Sequence, residues 1–129
     1  MFNPYNRMQV KGTNEMGRLS THVLDTANGC PAAGMHYALH RAGDPAPLRS
    51  GTLNADGRCD GPLLEGTLTP GAYELKFGVA GYFRARGVSL PEPPFLDVVT
   101  LAFGISEPDG HYHVPLLASP WSYSTYRGS

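Results

Sequence analysis

Three histidines and an arginine carry the chemistry that this chain offers. His111 and His113 lie two residues apart near the end, His22 lies near the start, and Arg58 follows the run Asn54-Ala-Asp-Gly57 between them. Imidazole titrates near neutral pH and guanidinium stays charged. Together they supply a base for water, a proton for a leaving nitrogen and a cation for a developing oxyanion, which is what hydrolysis of a cyclic amide requires. The same histidines also fit a metal. His-x-His on a strand places both rings on one face, and His22 would complete a three-histidine zinc site with one position open for water. Against zinc, no carboxylate on the segment stands ready to orient the rings. His111, beside Asp109 and Gly110, suits a solvent-facing or capping place, which leaves His113 as the reactive member of the pair.

These groups need strands to aim them. Read with period two, His111, His113, Pro115 and Leu117 share one face, and Tyr112, Val114 and Leu116 share a core face. A Ser119-Pro120 corner follows, then Ser122, Ser124, Tyr126 and Gly128 on one side and Trp121, Tyr123 and Thr125 on the other. In Arg18–Asp25, Ser20, His22 and Leu24 oppose Leu19, Thr21, Val23 and Asp25. Met35–Arg41 turns Met35, Tyr37 and Leu39 inward, with His36 and His40 on a solvated face. Pro47–Leu53 reads as a short strand, and Asn54–Arg58 as a turn in which Gly57 takes positive φ and Arg58 is displayed. Leu63 and Leu64 make a short edge strand. Gly71–Val79 is a half-buried strand, Ala80–Arg86 a short helix ended by Gly87, and Leu96–Ile105 a long apolar strand. Seven or eight short strands with one short helix predict an all-β, two-sheet sandwich.

Composition narrows the class. The 129 residues suffice for one domain with a single core, and a net charge of −1 excludes a basic nucleic-acid surface. Lys11 and Lys76 are the only lysines, so there is no polybasic membrane patch, and no apolar run approaches the roughly 20 residues of a membrane span. Residues 1–17 read as a flexible extension without the apolar centre of a secretory signal, and Met16 offers an alternative start. The domain proper is 18–129. Cys30 and Cys59 are expected as reduced thiols in a cytoplasmic protein.

Six segments carry a resemblance: Leu19-Ser-Thr-His-Val-Leu-Asp25, Asn54-Ala-Asp-Gly-Arg58, Gly81-Tyr-Phe83, Leu90-Pro-Glu-Pro-Pro-Phe95, His111-Tyr-His-Val-Pro-Leu116 and Tyr126-Arg-Gly-Ser129. In these the chain resembles the 5-hydroxyisourate hydrolase branch of the transthyretin-like family, over about residues 18 to 129. The resemblance implies an eight-stranded sandwich and a homotetramer, a dimer of dimers, with active sites in a central channel. It implies ring opening of 5-hydroxyisourate to 2-oxo-4-hydroxy-4-carboxy-5-ureidoimidazoline, with no metal or organic cofactor. By motif it makes His22, Arg58 and His113 catalytic and Tyr126, Arg127, Gly128 and Ser129 substrate-binding. Arg58 and Arg127 would then act as bidentate donors to a planar, carbonyl-rich substrate, and Ser129 would add a main-chain carboxylate beside the histidines. Two alternatives stay open: the zinc-dependent hydrolase with His22, His111 and His113, and a non-catalytic carrier of a small aromatic ligand in the same channel.

Overall fold

The computed structural model describes residues 16–129. The expected extension therefore lies outside the described residues except for Met16 and Gly17, and Gly17 already belongs to the first strand. Nine strands and one helix follow: β1 Gly17–Asp25, β2 Cys30–Pro31, β3 His36–Arg41, β4 Arg49–Thr52, β5 Leu64–Gly66, β6 Gly71–Gly78, α1 Val79–Ala85, β7 Val98–Ile105, β8 His111–Ala118 and β9 Tyr123–Thr125. They form two sheets, one ordered β2-β1-β8-β9 with β5 also on β1, the other β4-β3-β6-β7. This is the expected sandwich, transthyretin-like in its fold, and its extra strand is the two-residue β2 that Pro31 cuts short.

The alternation read from sequence fixes which faces meet. Leu19, Val23 and Leu116 of one sheet and Leu39, Leu75 and Phe77 of the other all pack inside at 0% exposure. Each such side chain contributes about 1.5–3 kcal/mol by leaving water. α1 leaves β6 without a side-chain cap and buries Val79, Ala80, Tyr82 and Phe83. It runs one residue earlier than expected and stops at Gly87, whose φ of +86° suits glycine.

One inward residue is a carboxylate. Asp25 is 1% exposed, and it accepts from the Asn28 amide at 2.9 Å, Asn28 Nδ2 at 2.7 Å and the Tyr82 hydroxyl at 2.8 Å. It thereby ties the end of β1 to α1. His40 departs from expectation: it is 8% exposed rather than solvated. The loop after β3 folds back over it, and its Nδ1 lies 2.9 Å from the Asp44 carbonyl. His36 is exposed, as its place on the outer face predicts.

The pairing that matters most is between β1 and β8. It is parallel, with Ser20 opposite His113 and His22 opposite Pro115. Parallel neighbours need a long crossover, and here nearly the whole domain supplies it. Both histidine segments therefore present their outer faces side by side.

Candidate active site

Each reactive side chain is delivered by a separate local device. The Asn54–Arg58 turn closes on itself: Asn54 Oδ1 accepts from the amides of Asp56 at 2.9 Å and Arg58 at 3.1 Å. Gly57 has a φ of +72°, and a Cβ there would lie 2.6 Å from the Val23 carbonyl oxygen, so only glycine lets the turn dock. Val23 donates its amide to the Gly57 carbonyl at 2.9 Å. The next residue pair, His22 and Arg58, forms an isolated antiparallel bridge. Arg58 is thus pinned beside His22 by main-chain bonds.

The tail reaches His113 differently. Pro115 has no N–H, and its carbonyl faces β9, since Thr125 Oγ1 donates to it at 2.7 Å. The β8–β9 ladder runs only from Ala118 paired with Tyr123 to Leu116 paired with Thr125. It resumes as a single bridge between His113 and Gly128. Tyr126 and Arg127 span the gap. The Arg127 guanidinium lies over the Tyr112 ring, 4.3 Å from its centroid, and donates to the His111 carbonyl at 3.1 Å. Hydrogen bonds from Ser106 and Glu107, with the nearby Arg127 charge, hold the Tyr112 phenol below its usual range.

A cleft of about 380 Å³ opens on this outer face, lined by Arg18, Ser20, Arg58, His111, Tyr112, His113 and Ser129. Of the site residues read from sequence, Arg58, His113 and Ser129 share its wall. His22 adjoins through its bridge to Arg58, and Gly128 packs on His113. Tyr126 and Arg127 line instead a second cavity of about 490 Å³ together with Phe103, Tyr123 and Thr125. Arg18 and Ser20 were missed as candidates. Arg18 is Ser20's neighbour at period two on the His22 face, which was signal enough to include it.

The electrostatics suit base catalysis. Burial, and after it the Arg58 guanidinium, hold His22 below the ordinary imidazole value, while the Asp56 carbonyl and carboxylate pull weakly upward. Burial, Arg58 and His22 in that order lower His113. Both shifts favour the neutral ring, the form that can accept a proton. The zinc triad does not assemble: among the described residues no three His, Cys, Asp or Glu side chains converge as a metal-holding group. His111 stands in the cleft wall, but its Nε2 is engaged 2.9 Å from the Met16 carbonyl.

Fold and cleft together define a β-sandwich with a histidine–arginine site on the outer face of one sheet. The family model described as "HIUase/Transthyretin family" matches residues 19–128, and the chain belongs to that family. A 5-hydroxyisourate hydrolase of Pseudomonas aeruginosa is 60% identical over 117 residues, covering 88% of this chain and 93% of that protein. Among solved structures, an (S)-allantoin synthase aligns with a TM-score of 0.84 at 49% identity, covering 90% of this chain, which spans 45% of that protein's length. The Klebsiella pneumoniae 5-hydroxyisourate hydrolase aligns with a TM-score of 0.74 at 33% identity, covering 88% of this chain and 94% of that one.

Proposed function

We propose that this chain is an enzyme that hydrolyses 5-hydroxyisourate to 2-oxo-4-hydroxy-4-carboxy-5-ureidoimidazoline in urate degradation. The observation that carries the reading is the grouping of His22, Arg58 and His113: a main-chain bridge sets Arg58 beside His22, Arg58 and His113 line one cleft, and both imidazoles are shifted toward the neutral form. Names and extents of the relatives support it.

The chemistry divides among these groups. An imidazole takes a proton from water as its oxygen bonds to the ring carbonyl carbon. Arg58 faces the negative charge that develops on the carbonyl oxygen, where a fixed guanidinium needs no reorganisation. The carbon–nitrogen bond then breaks, the nitrogen receives a proton, and the carbonyl becomes a carboxylate. Gly128 and Ser129 close the wall beside His113, while Tyr126 and Arg127 bind substrate only if it reaches their neighbouring cavity. The route assigns no step to a metal or organic cofactor, so turnover should survive chelation.

We further infer a homotetramer, a dimer of dimers. Phe95, Trp121 and Tyr126 are 70%, 58% and 61% exposed, an apolar surface that a partner copy would cover. Cys30 and Cys59 are both free, which fits a reducing cytoplasm. No helix among the described residues is long and apolar enough to cross a membrane. The test is the ultraviolet decay of freshly generated 5-hydroxyisourate with and without protein. Catalysed decay is expected; saturable binding without faster decay would favour a carrier instead.

A further inference from the structure

We propose that Ser20 is a positioning residue for His113, its hydroxyl accepting a hydrogen bond from Nδ1–H so that Nε2 faces the reacting water. The proposal rests on the hydrolase reading above. Ser20 stands opposite His113 in the parallel β1–β8 ladder, and its Oγ lies 2.8 Å from Nδ1. A ring acting as base must be held at both edges, and here it is. Ser20 bonds the Nδ1 edge, while Gly128 crowds the opposite edge, where an added Cβ would lie 2.6 Å from Cδ2. Ser20 and His113 both line the cleft, and Nε2 is the ring nitrogen that the Ser20 bond leaves free for it.

The hydroxyl matters most after the proton moves. When Nε2 takes water's proton, both ring nitrogens carry hydrogen, and the partly buried Nδ1–H needs an acceptor. Ser20 Oγ supplies lone pairs at bonding distance without gaining or losing a proton itself. The water oxygen bonds to the carbonyl carbon in the same step, so charge and atoms balance. Without Ser20 the cationic ring would have Arg58 and His22, which oppose its charge, and Arg18, His111 and Ser129 in the cleft wall, but no hydrogen bond at Nδ1.

Two measurements test this. In the intact protein, ring ¹⁵N shifts should report neutral His113 as the Nδ1–H tautomer; the Nε2–H tautomer would overturn the proposal whatever the enzyme does with substrate. In Ser20→Ala, kcat should fall about 10- to 100-fold, the value of a hydrogen bond to a charged group, with KM little changed. The acidic limb of its rate profile should move to lower pH, because the protonated ring has lost its acceptor. Ser20→Thr, which keeps the hydroxyl, should restore both. An unmoved limb, or no rescue by threonine, would mean that Ser20 only packs. Failure of the parent reading would look different, as wild-type protein would then leave 5-hydroxyisourate decay unchanged.

Discussion

Gly128 donates its amide to the His113 carbonyl at 2.8 Å and stands where any side chain would strike that histidine's ring. A Cβ there would lie 2.6 Å from Cδ2 and 3.2 Å from Cγ, so either the ring or the tail would have to move. Gly128→Ala should therefore lower turnover about 10²-fold, as misplacing a reacting group by an ångström does. The bridge lies on the outer face, away from the core, so the melting temperature should hold. Turnover and melting of one preparation check both halves.

The tail behind Gly128 is held by Arg127, stacked on Tyr112 and bonded to the His111 carbonyl. Deleting Arg127–Ser129 should leave melting nearly unchanged while hydrolysis falls steeply. Arg127→Lys should also weaken turnover, since a point charge cannot stack and donate as a planar fork does. Normal turnover in the truncated chain would make the terminus purely structural.

The rate profile follows from the two depressed imidazoles. A base must be unprotonated, so the acidic limb of kcat/KM should lie below the ordinary imidazole value of 6.5. Arg58→Gln removes the second cause of that depression in both rings. Its limb should move up in pH but stay below 6.5, because burial remains the larger cause. Proton NMR titration of the two rings reads the same shift whatever turnover Arg58→Gln retains. A wild-type limb at or above 6.5 would contradict the neutral-base account.

Asp25 bears on stability rather than turnover. Burial pushes its carboxyl up, but bonds from Asn28 and Tyr82 outweigh that and hold it below 3.8. Its contribution is thus complete above the unfolded carboxyl value and is lost as pH falls through the lower folded one. Asp25→Ala strands the buried Tyr82 hydroxyl, which should cost about 1–3 kcal/mol, while the exposed Asn28 turns to water. Denaturant titration at pH 7 should show a lower midpoint with an unchanged slope.

Strand faces were legible because alternation is local: Leu19, Val23, Leu75 and Phe77 pack as period two requires. The Asn54–Arg58 turn was legible for the same reason. What stayed hidden is set by distant chain. The parallel β1–β8 register, which puts Ser20 on His113, joins segments 93 residues apart. His40 looked solvated because nothing in its own strand announces the loop that covers it. Tyr126 lies past the end of β9 at Thr125, so period two does not carry as far as its side chain. Pro115, a proline inside a central strand, was the available sign that the ladder would break there.

The account stands on His22 and His113 acting together beside Arg58. The direct measurement is the decay of freshly generated 5-hydroxyisourate catalysed by wild type, His22→Asn and His113→Asn, each verified by melting to be folded. Asparagine keeps the approximate shape and removes proton transfer, so each variant should lose about 10²–10⁴-fold in turnover. Near-wild-type decay with either folded variant would contradict the assignment of that histidine and, with it, the site.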